Sequence, residues 1–372
     1  MQYRTYGKTG CRVSQLGFGL MRLPTRASGK VNRKEAVGLV HRAVELGVNF
    51  FDSHFGYHGG ESEESLGEAL KGLKREDIFI QTKHPTYNKP DSGRHRDCLD
   101  TQLERLGTDY VDFYLSHSFS WKGYQEYGQD FLQMARQARD EGIVRHIGFS
   151  FHDSPENLKK LVDTGEFECV LLQYNLLNRA NEEVIGYAHE HGVGVSVMGP
   201  VGGGRLAAPS EEIRKLLPSV SAGSAEVALR FVLAHPGVSA AFSGMNTLEQ
   251  LEENCVTADL SEPLSEQELT HVQAVLEEKK KLADLYCTGC NYCMPCEQGV
   301  AIPHIFALVN TYRLYGLKEW ARKEYARLGG GHWRKWMPAS ECIECGKCED
   351  KCPQKIEIIK QLKEAHKLLS GD

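Results

Sequence analysis

Hydrophobic and polar positions repeat in one unit along the chain from about residue 12 to residue 260. Each unit is a segment of helical length with apolar residues three to four apart, then a glycine or polar stop, then a short apolar run. HRAVELGVNFFDS, residues 41–53, shows the whole unit. Four of these stops, at positions where positive φ commonly ends a helix, are Gly47, Gly142, Gly192 and Gly237. Asn32 and Glu35 are spaced as a capping box, which predicts a helix beginning just after Asn32.

Eight apolar runs are predicted to be strands. They are short and almost continuously apolar, as expected of parallel strands that helices cover. The runs are SQLGFG (14–19), NFFDS (49–53), DIFIQTK (77–83), YVDFYLSH (110–117), VRHIGFS (144–150), CVLLQYN (169–175), VSVMG (195–199) and VSAAFSG (238–244). Eight βα units over about 250 residues predict an α/β fold, a (β/α)8 TIM barrel. The alternative is an open doubly wound sheet, but GFG at residues 17–19 lacks the third glycine of a dinucleotide-binding loop.

Composition and charge narrow the class of protein. The 372 residues are 41% hydrophobic and 25% charged, as in ordinary globular proteins. The net charge of -6 and the scattered basic residues argue against a nucleic-acid partner. No run approaches the roughly 20 apolar residues of a membrane span, and the opening residues MQYRTYGKTG lack the apolar core of a secretory signal. We therefore expect a cytoplasmic protein without a membrane partner.

The distribution of cysteine divides the chain. Of twelve cysteines, Cys11, Cys98, Cys169 and Cys255 are scattered, whereas eight lie beyond residue 286. In a reducing compartment, clustered cysteines indicate metal binding before disulfides. The sequence thus predicts a barrel domain over residues 1–280 and a smaller, mainly helical domain over residues 281–372.

The eight late cysteines form two regular runs. The first has the spacing C-x2-C-x2-C-x2-C at Cys287, Cys290, Cys293 and Cys296. The second has the bacterial ferredoxin spacing C-x2-C-x2-C-x3-C-P at Cys342, Cys345, Cys348 and Cys352. They predict a ferredoxin-like domain with two [4Fe-4S] clusters, in which Cys352 completes the first cluster and Cys296 the second. A single cluster, a four-cysteine zinc site and free or disulfide-bonded thiols are the alternatives.

Polar residues at the ends of three neighbouring strands suggest an active site. In a TIM barrel the chemistry lies at the carboxyl ends of the strands. Asp52 ends the second predicted strand with Tyr57 close behind it, Lys83 ends the third, and His117 ends the fourth.

Together these four groups suit proton donation to a carbonyl. A phenol with its ordinary pKa near 10 needs a nearby cation to become a useful acid at neutral pH. Lys83 would supply that cation, Asp52 would hold the ammonium, and His117 would donate to the oxygen that becomes negative. Singly, each residue also has a structural explanation, as a helix cap, a packing ring or a solvated side chain.

The order and spacing of these residues resemble the aldo-keto reductase superfamily over residues 1 to 260. The matching segments are LGFGLMRLP (16–24), Asp52 and Tyr57 with GESEE (60–64), QTK (81–83), YVDFYLSH, VRHIGFS, QYN (173–175), GPVGGGRL (199–206) and SGMNTLEQLEEN (243–254). The whole chain resembles bacterial and archaeal aldo-keto reductases with a C-terminal ferredoxin-like domain. The resemblance implies reversible reduction of a small aldehyde or ketone to an alcohol by a nicotinamide cofactor. It also implies that Tyr57 is the proton donor, tuned by Lys83 and Asp52, while His117 orients the carbonyl.

The resemblance further implies where the cofactor binds. It assigns the nicotinamide carboxamide to Ser150 and Gln173, and the pyrophosphate and adenosine to the loops at 202–206 and 244–254. The implied binding residues are Gly19, Met21, Ser150, Gln173, Met198, Gly199, Pro200, Gly202, Gly203, Gly204, Leu206, Gly244, Met245, Asn246, Gln250, Glu253 and Asn254. NADP(H) is the expected cofactor and NAD(H) the alternative, because residues 243–254 contain no basic side chain. Two further positions depart from the family. Members often have an aromatic residue at the position of Met198 and an asparagine at the position of Phe151.

The role of the clusters stays open at this point. Hydride transfer moves two electrons together whereas a cluster accepts one, so direct exchange needs a mediator such as a flavin. The clusters could be structural, pass electrons to a redox carrier protein, or supply electrons to the substrate. A basic helical segment between the cysteine runs, with Arg313, Lys318, Arg322, Lys323 and Arg327, is either a docking face for such a carrier or a solvated surface. The alternative function is an electron-transfer protein whose barrel mainly binds nucleotide.

Overall fold

The computed structural model describes residues 1–85, 95–207, 210–217, 223–260, 264–281, 287, 293–330, 336–352 and 356–371. The strands in this part of the chain are β1 (Tyr3–Thr5), β2 (Arg12–Ser14), β3 (Leu16–Gly19), β4 (Phe50–Asp52), β5 (Phe79–His84), β6 (Val111–Phe119), β7 (Val144–Phe151), β8 (Cys169–Gln173), β9 (Gly194–Met198) and β10 (Ala240–Ser243). Strands β3 to β10 close into a barrel in which all neighbours are parallel. Each predicted apolar run supplies one barrel strand, so the TIM barrel is confirmed and the open sheet is wrong.

Helices alternate with the barrel strands and make up most of the C-terminal part. They are α1 (Arg33–Glu45), α2 (Glu61–Leu70), α3 (His95–Leu106), α4 (Trp121–Gly123), α5 (Gln129–Asp140), α6 (Pro155–Asp163), α7 (Glu182–Glu190), α8 (Glu211–Arg214), α9 (Ser224–Ala234), α10 (Leu248–Asp259), α11 (Glu266–Lys281), α12 (Ile302–Leu314), α13 (Lys318–Tyr325), α14 (Lys347–Asp350) and α15 (Ile358–Ser370). A π-helical turn, Tyr124–Gly128, joins α4 to α5. No helix in the described ranges is long and apolar enough to cross a membrane.

The predicted helix ends are partly correct. Helix α1 begins directly after Asn32, but the Asn32 side chain makes no capping hydrogen bond, so the capping box does not form. Gly47, Gly142 and Gly192 adopt φ of 90°, 79° and 74°, which glycine tolerates best because it has no Cβ. Gly237 does not have a positive φ, so its prediction is wrong.

A hairpin of β1 and β2 closes the amino-terminal end of the barrel. It contacts residues that precede barrel strands: the Asn49 side chain bonds to Ser14 N, and the backbone of Lys8 bonds to Gly192 O. Tyr6, between the two hairpin strands, is completely buried and contacts Phe50 and Phe113 edge-on at 5.4 and 4.9 Å. The hairpin thus completes the apolar core at this end of the barrel.

The chain divides into two compact units, Met1–Gly204 with Ala228–Leu264, and Arg205–Val227 with Ser265–Asp372. The first contains the barrel. The second has a core formed chiefly by α12, α13 and α15, against which several cysteines of both runs pack. These units divide the chain differently from the domain boundary expected at residue 280, which stays a prediction.

Candidate functional site

The centre of the candidate active site is a buried ion pair between Lys83 on β5 and Asp52 on β4. Lys83 Nζ donates to both Asp52 carboxylate oxygens at 2.7 Å and to the backbone oxygen of Ser53 at 2.6 Å. Burial lowers the pKa of Lys83, but attraction to Asp52 outweighs burial and raises the pKa above its ordinary value. Gln81 Nε2 also donates to Asp52, at 2.8 Å. Lys83 is therefore a fixed cation with three oxygen acceptors.

Tyr57 lies beside this cation. It begins a short 3-10 turn, Tyr57–Gly60, that follows β4, and it is only partly buried. Its phenol oxygen is 3.5 Å from Lys83 Nζ, and the ammonium is 4.9 Å from the centre of its ring. The structure therefore brings Asp52, Tyr57 and Lys83 together, with the phenol facing a permanent positive charge.

Three histidine rings extend the site from Tyr57 toward β7. The ring of His54 lies 5.0 Å from the Tyr57 ring and 4.1 Å from the His117 ring, and His152 lies 6.4 Å from His117. Burial, aided by the charge of Lys83, lowers the pKa of His117 to about 3. Burial and the neighbouring His117 lower the pKa of His54 to about 2. These rings are therefore neutral at physiological pH, and His117 can act as a neutral hydrogen-bond donor.

A buried carboxylate on α2 holds the strand that carries Lys83. Glu63 Oε1 accepts hydrogen bonds from Thr82 Oγ1 at 2.7 Å and Gln102 Nε2 at 2.6 Å. Its other oxygen accepts from Arg105 at 3.2 Å, and Gln102 Nε2 also reaches the Lys83 backbone oxygen. This hydrogen-bond network connects α2 and α3 to β5 next to Lys83.

The residues assigned to the nicotinamide lie at the ends of neighbouring strands. Ser150 is buried near the end of β7, with its Oγ 3.3 Å from Nε2 of His152. Gln173 and Met198 end β8 and β9 and are register partners. The backbone oxygen of Gly199, the next residue, accepts from Asn175 Nδ2 at 2.9 Å. Three strands therefore deliver Ser150, Gln173 and Met198 to the same end of the barrel as Asp52 and Lys83.

The three glycines of the loop after β9 have a backbone conformation that glycine adopts more readily than other residues. Gly202, Gly203 and Gly204 all have positive φ, of 59°, 69° and 95°. A Cβ on Gly203 would lie 3.0 Å from a guanidinium nitrogen of Arg22, and one on Gly244 would lie 3.0 to 3.2 Å from the carbons of the same side chain. Arg22 therefore lies next to both loops assigned to the pyrophosphate and adenosine, a cation that no sequence pattern indicated.

Several other residues assigned to the cofactor make hydrogen bonds within the protein or are buried in it. Gln250 Oε1 accepts from Asn246 N at 3.0 Å, while Thr247 Oγ1 caps α10 by accepting from Gln250 N. Asn254 Nδ2 donates to Ser243 Oγ at 3.2 Å. Met245 and Leu206 are completely buried, whereas Met21 is 58% exposed. Gly19 is buried at the end of β3, and Pro200 is also buried.

In the second unit, cysteines from both runs line one cavity of about 580 Å³, part of it open to solvent. Its cysteines are Cys293, Cys296, Cys342, Cys345 and Cys348. Cys352 is instead buried in the helical core, against which Cys287 packs, and Cys290 lies outside the described residues. Among the residues that the structure describes, no group of three or more His, Cys, Asp or Glu side chains is arranged to hold a single metal ion.

Fold and site together define a TIM-barrel oxidoreductase with a cysteine-rich second domain. The Aldo/keto reductase family matches residues 15–277, and the chain belongs to this family. A 4Fe-4S dicluster domain matches residues 286–357. The predicted family and the predicted kind of C-terminal domain are thereby confirmed.

Similar proteins of known sequence or structure are consistent with membership in the Aldo/keto reductase family. L-galactose dehydrogenase of Arabidopsis thaliana is 29% identical over 308 residues, covering 76% of this chain and 96% of that protein. NADH-specific methylglyoxal reductase of Escherichia coli (strain K12) is 27% identical over 54% of this chain and 67% of its own. The holo form of aldo-keto reductase AKR11C1 from Bacillus halodurans superposes with a TM-score of 0.65 at 28% identity, covering 74% of this chain and 96% of that one.

Proposed function

We propose that this protein is an NADP(H)-dependent carbonyl reductase that reversibly converts a small aldehyde or ketone into an alcohol. The observation that carries the proposal is the Tyr57 phenol 3.5 Å from the buried, Asp52-paired ammonium of Lys83. A fixed cation next to a phenol stabilises the phenolate that remains after the proton has left. The partly exposed ring leaves the hydroxyl accessible to a substrate.

Proton transfer is the part of the reaction that the barrel residues perform. The bound nicotinamide supplies or accepts the hydride. Tyr57 donates its proton to the carbonyl oxygen in reduction and takes it back in oxidation, while Lys83 compensates the charge. Neutral His117 donates a hydrogen bond to the same oxygen, and the His54 ring packs against the rings of both Tyr57 and His117.

The loops at the end of β9 and β10 fit a dinucleotide. Side-chain-free backbone at 202–204 allows phosphates to approach closely, and Arg22 adds a positive charge there. We assign NADP(H) because Arg22 supplies a phosphate partner that residues 243–254 lack, with NAD(H) as the alternative.

The two cysteine runs fit two [4Fe-4S] clusters, with Cys296 completing the cluster of the second run. Cys296 and its neighbour in the first run, Cys293, line the same cavity as Cys342, Cys345 and Cys348, whereas Cys352 does not. This exchange of the fourth ligand is the pattern of two-cluster ferredoxins. We place the domain boundary near residue 280 and the protein in the cytoplasm, and we assign the clusters a structural or electron-transfer role.

The test is an anaerobic titration of the purified protein with NADPH and NADH, followed by turnover of a panel of aldehydes and ketones. We expect nucleotide binding without bleaching of the clusters, and a loss of about 100-fold or more in turnover for Tyr57→Phe with binding retained. Tyr187→Phe, which removes a half-buried phenol hydroxyl on α7 that donates to Asp163, is the matched control and should be fully active. Full activity of Tyr57→Phe would refute the assigned proton donor. Bleaching by nucleotide alone would favour the electron-transfer alternative.

A further inference from the structure

A second group of reactive side chains lies at the amino-terminal end of the barrel, opposite the proposed hydride site. Cys11 immediately precedes β2, His146 is near the start of β7, and Glu168 immediately precedes β8. Cys11 Sγ is 3.6 Å from His146 Nε2, and His146 Nδ1 is 2.9 Å from Glu168 Oε1. A thiol, an imidazole and a carboxylate therefore lie in hydrogen-bonded order.

Each member of this group is held from outside it. The backbone of Cys11 accepts from Tyr6 N at 2.9 Å and donates to Thr9 Oγ1 at 3.2 Å. The ring of His146 stacks on Phe113 at 5.3 Å, with 22° between the ring planes. The second oxygen of Glu168 accepts from the backbone nitrogen of Ile147 at 3.2 Å. The three groups are thus positioned by the barrel and not by chance contacts of mobile side chains.

The hydrogen bonds give the two nitrogens of His146 different partners. An ionised carboxylate only accepts, so Nδ1 is the donor to Glu168, and Nε2 is the nitrogen that faces Cys11 Sγ. Burial lowers the pKa of His146, but the hydrogen bonds of Cys11 and Glu168 outweigh it and raise the pKa to about 9. Burial raises the pKa of Glu168, but the bonds from His146 and Ile147 outweigh burial and lower it. With this raised pKa His146 is an imidazolium at neutral pH, with Glu168 as its counter-ion, and its Nε2–H faces Cys11 Sγ, where it stabilises a thiolate.

We propose that Cys11 is a nucleophilic thiol that forms mixed disulfides with low-molecular-weight disulfides, with the imidazolium of His146 stabilising its thiolate and Glu168 as the residue that positions His146. The thiol proton leaves to solvent, and the Cys11 thiolate attacks one sulfur of the disulfide. A new sulfur–sulfur bond forms as the old one breaks, and the leaving thiolate receives a proton from solvent. Cys11 is oxidised and half of the disulfide is reduced, so no further oxidant is needed. Partial exposure of Cys11 and His146 leaves room for attack.

The experiment measures mixed-disulfide formation on the full-length protein, kept anaerobic so that cluster ligands stay bound. The probe is oxidised glutathione at pH 7, and quantitative peptide mass spectrometry reports each cysteine separately. Cys98, another partly buried thiol of the barrel unit, is the internal reference. We expect Cys11 to react about tenfold faster than Cys98, and about tenfold slower after His146→Gln or Glu168→Gln. Glu168→Gln is the most conservative of these variants, because the amide oxygen still accepts from Nδ1 of His146 while the negative charge is lost.

One further variant and one further measurement separate this chemistry from structural damage. Cys11→Ser should abolish the adduct and leave carbonyl turnover unchanged. Thermal unfolding of each variant shows whether the barrel has stayed intact, and if His146→Gln does not fold, Glu168→Gln decides. The proposal is overturned if Cys11 reacts no faster than Cys98, or if a folded Glu168→Gln protein modifies Cys11 at the wild-type rate.

Discussion

Lys83 and Asp52 form a two-pronged ion pair at the carboxyl end of adjacent barrel strands, with Nζ 2.7 Å from each carboxylate oxygen. Side-chain exposure is 1% for Lys83 and 8% for Asp52, so water screens neither charge appreciably. A buried pair of this kind contributes little net stability, but removing one partner leaves a costly unpaired charge. The same ion pair therefore affects both the stability of the barrel and the positive charge next to Tyr57.

Replacing Lys83 by methionine should harm both stability and turnover. Asp52 would keep its burial but lose its cation, which lowers the free energy of unfolding by about 3–5 kcal/mol. Carbonyl turnover should fall by about 100-fold or more, because the phenolate of Tyr57 loses its stabilising charge. Denaturant unfolding and steady-state kinetics measure the two effects. The control is Lys159→Met, which removes an exposed ion-pair partner of Glu183. It should leave both the free energy of unfolding and carbonyl turnover almost unchanged. Unaltered turnover in a folded Lys83→Met protein would contradict the assigned role.

His54 should contribute to turnover through the packing of its ring and not through proton transfer. Its side chain packs against both Tyr57 and His117, so His54→Ala frees two groups of the proposed site. We expect a loss of about tenfold in kcat/KM, equivalent to about 1.4 kcal/mol. His54→Phe keeps a ring and should restore most of this loss. A phenylalanine variant as impaired as the alanine variant would instead indicate that the imidazole nitrogens are required.

Arg22 should strengthen nucleotide binding. Its guanidinium lies beside Gly203 and its carbons beside Gly244, so Arg22→Ala removes a cation from the proposed phosphate loops. We expect the Kd of NADPH to rise by about tenfold, since a charge-assisted hydrogen bond contributes about 1.5–3 kcal/mol. Fluorescence titration with both nucleotides checks this, and Arg26→Ala, a nearby exposed arginine, is the control. An equal rise for NADH would place Arg22 at the shared pyrophosphate, and no change for either nucleotide would remove it from the site.

Cys296 should be required for the cluster held by the second cysteine run. Wild-type protein should contain about eight iron atoms per chain, and Cys296→Ser should lose up to about half of them. Iron and sulfide analysis with electron paramagnetic resonance of the reduced protein measures this, and Cys255→Ser is the control because that cysteine lies in the barrel. If Cys296→Ser retains all its iron and the wild-type electron paramagnetic resonance spectrum, Cys296 is not a ligand. Zinc in place of iron would overturn the cluster assignment altogether.

Acid should destabilise the barrel through buried neutral histidines. Burial lowers the pKa of His54 to about 2 and of His84 to about 3, below the unfolded value near 6.5. The unfolded chain therefore binds protons that the folded chain does not. Stability should fall as pH decreases from about 6.5, by up to about 1.4 kcal/mol per pH unit for each histidine.

Unfolding measured at pH 7.5, 6 and 5 tests this expectation. A His54→Phe, His84→Phe double variant should lose stability less steeply with acid than wild type, whereas exposed His271→Gln should follow wild type. Contributions of the carboxylates and clusters are common to all three proteins and cancel in the comparison. Equal slopes for wild type and the double variant would show that these histidines do not control the acid response.

The barrel, the order of its strands and the end at which Asp52, Lys83 and His117 lie could all be predicted from the sequence alone. These features follow from local periodicity, because a short apolar run between helices can be buried in few ways, and parallel strands place their ends together. The spacing of the late cysteines likewise indicated the kind of second domain. Local signals alone were less dependable at single positions, since Asn32 makes no capping bond and Gly237 has no positive φ.

Which distant side chains meet could not be predicted without the folded barrel. His54 contacts both Tyr57 and His117, Arg22 lies beside Gly203 and Gly244, and Cys11 reaches His146. No periodicity links positions 11, 146 and 168, because their proximity arises from closure of the barrel and from the turn that precedes β2. Side-chain contacts of a few ångströms depend on strand register, loop conformation and rotamer together, whereas a hydrophobic pattern reports only which face of an element is buried.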